Sequence, residues 1–130
     1  MVGTAPNFGF SRELRLLGSR EFRHVFDTAS FKVHGKGFLA LACPNTLGHV
    51  RVGLVFSKKN ARRAVDRNLL KRLTRESIRL QQHKLPAVDI VVLSRRGVLE
   101  LDRKALSRQL NGMWHRLQKD ARRAAQASTA

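Results

Sequence analysis

Cationic side chains are concentrated between residues 58 and 79, and the chemistry they suit best is the binding of phosphate. Lysine offers a compact point charge, whereas arginine presents a planar fork that can hold one phosphate through two hydrogen bonds. The segment carries nine such residues against two acids, Asp66 and Glu76. It is therefore predicted to bind a polyanion. The nine cations are Lys58, Lys59, Arg62, Arg63, Arg67, Lys71, Arg72, Arg75 and Arg79.

Positive charge also dominates the chain as a whole. Its 130 residues include 26 Lys and Arg against 9 Asp and Glu, which gives a formal net charge of +17. So basic a chain binds polyanions without needing sequence information, and RNA, DNA and anionic membrane surfaces are the candidate partners. Arginine outnumbers lysine 18 to 8. Because arginine grips phosphate with two bonds and stacks on bases, this ratio favours structured nucleic acid over lipid.

A helix over residues 61–84, ended by Pro86, would separate these charges from a core. Successive residues of an α-helix turn by about 100°, and the apolar positions then fall within an arc of roughly 140°. Ile78 is an exception, because it falls among the cations. The predicted core side is Val65, Leu69, Leu70, Leu73, Ser77 and Leu80, and the predicted cationic side is Arg67, Asn68, Lys71, Arg72, Arg75 and Arg79. Like charges four residues apart destabilise a helix, so this arrangement favours a bound polyanion that neutralises them.

Four segments have the patterns of β-strands: residues 31–34, 38–43, 49–57 and 88–93. The second and third are separated by a turn at Pro44 and Asn45, and they are predicted to pair as an antiparallel hairpin. The fourth is a continuous apolar, β-branched run. Such a run is typical of a strand that is covered on both faces.

Helices are predicted before, between and after these strands, in the order αβββαβα. The first is predicted to be capped by Ser19, with Phe22, Val25 and Phe26 on one face. The last follows a cap at Asp102, and its predicted core face is Ala105, Leu106, Leu110, Met113, Trp114 and Leu117. The sequence thus predicts one α/β (α+β) domain over residues 19–118. An irregular segment, 1–18, precedes it, and a basic, Ala-rich, disordered tail, 119–130, follows it.

Other reactive side chains form no recognisable catalytic or metal-binding pattern. The five histidines lack metal-ligand spacing, and there is no pair of cysteines. The single Cys43 cannot form an internal disulfide, which favours a reducing cytoplasm. The N-terminus lacks the charge and apolar pattern of a secretion signal, and no apolar run approaches the roughly 20 residues that span a bilayer. We therefore predict a cytoplasmic protein with no metal site of its own and no membrane partner.

Several blocks of this sequence, in the same order, resemble the protein subunit of bacterial ribonuclease P. The strongest are Ser57-Lys58-Lys59 and AVDRNLLKRLTRE at 64–76, supported by REFRHVF at 20–26, RVGLVFSKK at 51–59 and DIVVLSRRG at 89–97. The stretch before the long helix is most similar to the proteobacterial branch. One position departs from the family's Arg-Asn-Arg signature, which reads Arg67-Asn68-Leu69 here. Leu69 falls on the apolar side of the predicted helix and is expected to pack.

The resemblance implies a fold and a division of labour between protein and RNA. The fold is an α/β sandwich whose four-stranded sheet contains a left-handed βαβ crossover through the long basic helix. The catalytic centre is in a large RNA that removes the 5′ leader from precursor tRNA, with Mg²⁺ held by the RNA and substrate. No residue of the protein is catalytic, and one protein is expected per RNA. Because its cations neutralise phosphates, the protein is expected to lower the Mg²⁺ requirement, and it is also expected to broaden substrate recognition.

The resemblance also assigns two sets of binding residues. The single-stranded leader lies in a cleft between the first helix and the sheet, whereas spacing alone favours a core position for Phe22 and Phe26. The implied leader-binding residues are Phe22, Phe26, Lys36, Phe38 and Arg51. The implied catalytic-RNA-binding residues are Lys58, Lys59, Arg62, Arg63, Arg67, Asn68, Lys71, Arg72, Arg75 and Arg79.

Three other functions are compatible with the charge. A non-catalytic RNA-binding protein, of ribosomal or nucleoid type, would bind RNA without stimulating tRNA processing. A protein-only nuclease would cleave without RNA and would depend on carboxylates. A membrane-surface protein would bind anionic vesicles better than RNA. Adding the chain to catalytic RNA and precursor tRNA at low Mg²⁺ separates these alternatives.

Overall fold

Three helices and four strands follow one another in the predicted order αβββαβα. The structure, a computed structural model, describes residues 15, 16 and 18–129, so most of the predicted irregular segment 1–18 lies outside the described residues. A short 3-10 helix, Val98–Glu100, precedes the last helix. The main elements are α1 (Ser19–Thr28), β1 (Phe31–His34), β2 (Phe38–Pro44), β3 (Arg51–Val55), α2 (Ala64–Gln81), β4 (Val88–Ser94) and α3 (Arg103–Thr129).

The four strands form one mixed sheet in the order β1-β2-β4-β3. β2 pairs with β1 and β4 in antiparallel fashion, whereas β3 pairs with β4 in parallel. The predicted hairpin between β2 and β3 is therefore wrong, because β4 lies between them. Six of the seven residues of β4 are buried, and a strand that is apolar on both faces is most stable at the centre of a sheet.

The crossover from β3 through α2 to β4 is left-handed, as the resemblance implied. Val92 and Ser94 share the face of β4 that is covered by α2. The carbonyl of Ser94 points to the β3 side, where it accepts a hydrogen bond from Asn60 Nδ2 at 3.0 Å. The N–H of Arg95 points to the β2 side and donates to the carbonyl of Gly37 at 2.8 Å. When the sheet is viewed from the side of α2 with both strands pointing upwards, the chirality of L-residues then places β3 to the right of β4. The chain therefore moves to the left as it passes from β3 through α2 to β4, which is the rare, left-handed connection.

Helices cover both faces of the sheet and create two apolar layers. Ala40 and Ala42 of β2 belong to the larger layer, beneath α2 and α3. Leu41 and Cys43, which alternate with them along the strand, belong to the smaller layer beneath α1. The period-two alternation of a strand thus assigns neighbouring side chains to different helices.

The buried side of α2 differs from the predicted one. Its buried residues are Leu70, Thr74, Ser77 and Ile78, whereas Val65 is 63% exposed and Leu80 is 59% exposed. The reason is that two polar side chains are buried with hydrogen-bond partners: the Thr74 hydroxyl donates to the carbonyl of Leu70, and the Ser77 hydroxyl donates to Asn111 Oδ1. Because the Thr74 hydroxyl has a hydrogen-bond partner, it can be buried, and the side of α2 that faces the core then includes Ile78.

The two long helices have different ends from those predicted. α2 is shorter than the predicted 61–84. α3 continues to Thr129, so the tail predicted to be disordered from 119 is helical almost to its end. Alanine and arginine are strong helix formers, which explains the extension. The predicted core face of α3 is confirmed, because Leu106, Leu110, Met113, Trp114 and Leu117 are all buried.

Candidate nucleic-acid interface

A groove of about 800 Å³ lies beside α1, where the helix meets the end of β3 and the side of α2. We call it the α1 groove. Phe22 and Phe26 line it from α1, Val55 from β3 and Lys71 from α2. Aromatic rings beside a cation match the chemistry by which proteins hold single-stranded nucleic acid without reading its sequence. The predicted cleft between the first helix and the sheet thus has a physical counterpart.

Phe22 and Phe26 contribute differently to this groove. Phe26 is 46% exposed and presents its ring to solvent. Phe22 is half-buried and lies directly over Gly53 of β3, where an added Cβ would come within 2.4 Å of two ring atoms. Only glycine at this position leaves room for the ring. Phe22 therefore shapes the floor of the groove, whereas Phe26 is available to a ligand.

Arg51, which the resemblance assigned to the leader, is held between two carboxylates. Its Nε and Nη2 donate to Asp89 Oδ1 and Oδ2 at 2.9 and 2.7 Å, and its Nη1 donates to Glu21 Oε2. Glu21 lies in the first turn of α1 and also accepts the N–H of Gly18. Arg51 thus joins α1 to β3 and β4 and is absent from the lining of the α1 groove. Its charge is neutralised within the protein, so it acts as a structural link.

The contacts between Arg51 and Asp89 shift the pKa values of both groups. Burial raises the pKa of the Asp89 carboxyl, but hydrogen bonds from Arg51 and Asn45 and the charge of Arg51 lower it by more, so this pKa lies below its ordinary value of 3.8. The hydrogen bond to Asp89 raises the pKa of Arg51 above its ordinary value. Both groups are therefore charged in the folded protein throughout the neutral range.

Stability is expected to depend on the charge of Asp89. Because folding lowers the pKa of this carboxyl, its contribution is fully present above about pH 4 and is lost as the pH falls below that value. Urea unfolding of the parent protein and of Asp89→Asn, measured between pH 7 and pH 2.5, checks this. We expect the parent's advantage to be largest near neutral pH and to shrink below pH 4. An advantage that stays constant across the range would contradict the assignment.

Two other predicted leader residues lie away from the α1 groove. Phe38 is fully buried beneath α2 and α3, where its ring packs on Phe56 with centroids 5.8 Å apart. Its assignment as a leader contact is wrong, because the alternation of β2 turns it into the larger core. Lys36 is exposed in the turn between β1 and β2, outside the lining of the groove.

The predicted cationic side of α2 is divided between two surfaces. Lys71 faces the α1 groove. Asn68, Arg72 and Arg75 are exposed on the outer side of the helix, with Arg79 half-buried beside them. The segment before the helix adds exposed cations at Lys58, Lys59, Arg62 and Arg63.

Two arginines at the start of α2 also have partners within the protein. Arg67 Nη1 donates to the carbonyls of Ala61 and Arg62, at 2.9 and 2.8 Å, and so closes the turn before the helix. Arg63 forms an exposed ion pair with Asp66 at 3.2 Å. A substitution of Arg67 would therefore alter this turn as well as the surface charge. Direct RNA contact by either residue stays a prediction.

Sequence reasoning missed a set of cations on α3. Arg103, Lys104 and Arg108 are exposed, and Arg103 shares a surface depression with Arg72 of α2. The sequence shows how these cations are spaced along α3. It does not show that they lie beside α2, because that contact joins residues about 30 positions apart. A count of exposed cations on each helix could have suggested them. Their juxtaposition with α2 required the fold.

Metal-ligating clusters and membrane-spanning helices are both absent from the described part of the chain. Within it, no group of three or more His, Cys, Asp and Glu side chains could hold a metal ion. Its helices include none that is long and apolar enough to cross a membrane.

Comparison with known proteins identifies the family. A family model described as Ribonuclease P matches residues 10–118. The "Ribonuclease P protein component" of Chromohalobacter salexigens is 67% identical over 121 residues, covering 93% of this chain and 94% of the relative.

Solved structures agree with this match. The RNase P protein of Staphylococcus aureus superposes with a TM-score of 0.72 at 26% identity, covering 77% of this chain and 91% of that one. The RNase P protein of Thermotoga maritima gives a TM-score of 0.69 at 28% identity, covering 78% and 96%. The fold, the motifs and these matches agree, and the chain belongs to the ribonuclease P protein family.

Proposed function

We propose that this ribonuclease P protein component holds two RNAs at once during the removal of 5′ leaders from precursor tRNA. The cations before α2 and on its outer side bind the catalytic ribonuclease P RNA, whereas Lys71 faces the α1 groove. The α1 groove binds the single-stranded leader of the substrate. The chemistry of cleavage belongs to the RNA, and the protein contributes binding and charge neutralisation.

The observation that carries this proposal is the α1 groove itself. It combines the exposed ring of Phe26, the Phe22 ring seated over Gly53 and the ammonium group of Lys71. A base can stack on the ring while a neighbouring phosphate meets the cation. Stacking of this kind tolerates any base, as a protein that serves many precursor tRNAs requires.

Charge neutralisation gives the protein its second role. Catalytic RNA and precursor tRNA are both polyanions, so their association requires counter-charge. Arg72 and Arg75 are exposed and can replace part of that counter-charge. We propose that the Mg²⁺ ions stay on the RNA and the substrate, and that one cytoplasmic protein serves each RNA.

A cleavage assay tests the proposed function directly. Catalytic RNA and precursor tRNA are mixed at several Mg²⁺ concentrations, with and without the protein, and the released 5′ leader is quantified. We expect faster cleavage at low Mg²⁺ and a lower Mg²⁺ concentration at half-maximal rate. An unchanged Mg²⁺ requirement would overturn the proposal. RNA binding without acceleration would indicate a structural RNA-binding protein of ribosomal or nucleoid type.

Phe26→Ala is expected to weaken the binding of precursor tRNA about tenfold, because stacking contributes about 1–3 kcal/mol per base. Mature tRNA, which lacks a leader, should bind the holoenzyme as before. Filter binding with both substrates, at fixed salt, measures the ratio of the two affinities. Leu99→Ala is the matched control, since Leu99 is 47% exposed but lies outside the α1 groove. Equal losses for both substrates would show that Phe26 does not meet the leader.

A further inference from the structure

A second groove runs between α2 and the beginning of α3. It consists of two adjoining depressions, of about 460 and 400 Å³, that share Arg103. Arg72 and Asn68 line it from α2, and Lys104 and Arg108 line it from α3. We call this surface the α2–α3 groove.

The α2–α3 groove is strongly positive. Arg72, Arg103, Lys104 and Arg108 are all exposed. The carboxylate in its lining, Asp66, already pairs with Arg63 at 3.2 Å. On the other side, Asp102 accepts the backbone N–H of Ala105 at 2.8 Å and caps α3. A ligand of the groove therefore meets four guanidinium or ammonium groups and must itself be anionic.

The lining also distinguishes between kinds of RNA. Apolar contributions to the α2–α3 groove come from aliphatic side chains such as Leu69 and Leu73, and the described residues that line it include no aromatic ring. Stacking of unpaired bases therefore has no platform here, in contrast to the α1 groove with Phe22 and Phe26. Arginine, lysine and asparagine side chains suit the phosphates and riboses of a double helix, whose bases are inaccessible.

The two grooves lie on different sides of α2. Lys71 lines the α1 groove, whereas Asn68 and Arg72 line the α2–α3 groove. A leader that occupies the first groove leaves the second available to another RNA element.

We infer that the α2–α3 groove binds the backbone of a double-helical segment of the catalytic RNA, with Arg103, Lys104 and Arg108 as contacts. This inference rests on the proposed function, because it takes the catalytic RNA as the partner. It extends the RNA-binding surface from α2 to the first turns of α3. The three α3 cations belong to neither set of residues implied by the sequence.

Charge-matched triple variants of the full chain test the inference. The groove variant is Arg103→Ala, Lys104→Ala and Arg108→Ala, and the control is Arg116→Ala, Lys119→Ala and Arg122→Ala. Both variants lose three charges from exposed positions of the same helix. The affinity for catalytic RNA is measured by filter binding from low to high salt, after circular dichroism has shown unchanged thermal unfolding.

We expect the groove variant to bind at least tenfold more weakly and its salt slope to fall by about two to three units, since each lost phosphate contact removes about one unit. The control should keep the parent's slope to within about one unit. Equal losses in both variants would show a bulk charge effect and overturn the inference. A groove variant that binds like the parent, while the parent still accelerates 5′ cleavage, would overturn the inference and leave the proposed function intact.

Hydroxyl-radical footprinting identifies the kind of RNA element. Protections on paired nucleotides of the catalytic RNA should appear with the parent protein and disappear with the groove variant. Loss of protection confined to unpaired nucleotides would overturn the assignment to a double helix. The ratio of precursor to mature tRNA affinity should stay at the parent value in the groove variant, because the α1 groove is unchanged. A changed ratio would count against two separate RNA surfaces.

Discussion

Asp89→Ala is expected to lower the free energy of unfolding by about 3 kcal/mol, because removing one partner of a buried ion pair leaves the other charge uncompensated. The Asp89 side chain is 5% exposed and that of Arg51 is 20% exposed. After the substitution, Arg51 keeps its contact with Glu21 but loses two hydrogen bonds to Asp89. Asn45 loses an acceptor as well. Urea unfolding at neutral pH measures the effect.

The exposed pair of Arg63 and Asp66 provides the control for this prediction. The Arg63 side chain is 75% exposed, so Asp66→Ala should cost no more than about 1 kcal/mol. A double-mutant cycle with Arg51→Leu then isolates the coupling between Arg51 and Asp89. Equal effects of Asp89→Ala and Asp66→Ala would show that the buried link contributes no more than a surface pair.

Trp114→Ala is expected to lower the free energy of unfolding by about 4 kcal/mol, in the range typical of truncated buried aromatic side chains. Trp114 is fully buried between α3 and the sheet. Its Nε1–H donates to the Ser77 hydroxyl at 2.7 Å, and Ser77 donates in turn to Asn111 Oδ1 at 2.7 Å. The substitution therefore removes a large apolar contact and one of the two hydrogen bonds through which Ser77 of α2 is joined to α3.

Two variants control for this effect, with guanidinium unfolding as the measurement. His115→Ala changes the exposed neighbour on the same helix and should alter stability by less than about 0.5 kcal/mol. Trp114→Phe keeps much of the apolar volume and should show a smaller loss than Trp114→Ala. A Trp114→Ala protein as stable as the parent would contradict the role given to this side chain. Because α2 and α3 form the α2–α3 groove, weaker RNA binding should accompany the loss of stability.

The link through Arg51 connects stability to function. Glu21 is in the first turn of α1, and the same helix carries Phe22 and Phe26. Arg51 joins this helix to Asp89 at the start of β4. The position of α1, and with it the width of the α1 groove, therefore depends on the ion pairs that Arg51 forms with Glu21 and Asp89.

Local information in the sequence was sufficient for the elements and for the kind of partner. Apolar spacing of 3.6 or 2 residues predicted three helices and four strands, because each pattern depends on neighbours within a few positions. The net charge of +17 indicated a polyanion. The assignment to ribonuclease P rested on family motifs such as Ser57-Lys58-Lys59. Composition and residue spacing alone did not indicate it.

The arrangement of those elements was decided by contacts between distant residues. β4 entered the sheet between β2 and β3, which are neighbours in sequence. Spacing placed Ser77 on the core side of α2 but did not place Thr74 there, yet both are buried, because their hydroxyls donate to the carbonyl of Leu70 and to Asn111 Oδ1. The strand order and the burial of these side chains both depend on tertiary contacts, which no local sequence pattern identifies.

The division between sequence and structure is clearest at the binding residues. The sequence by itself determined which side chains carry charge or an aromatic ring, since that is set by residue type and by the spacing along each element. Only the tertiary structure decided which of them face a ligand: Phe38 is enclosed in the core, Arg51 is neutralised by Glu21 and Asp89, and Arg103 joins Arg72. The physical reason is that burial and ion pairing depend on what packs against a side chain, and those partners lie tens of residues away.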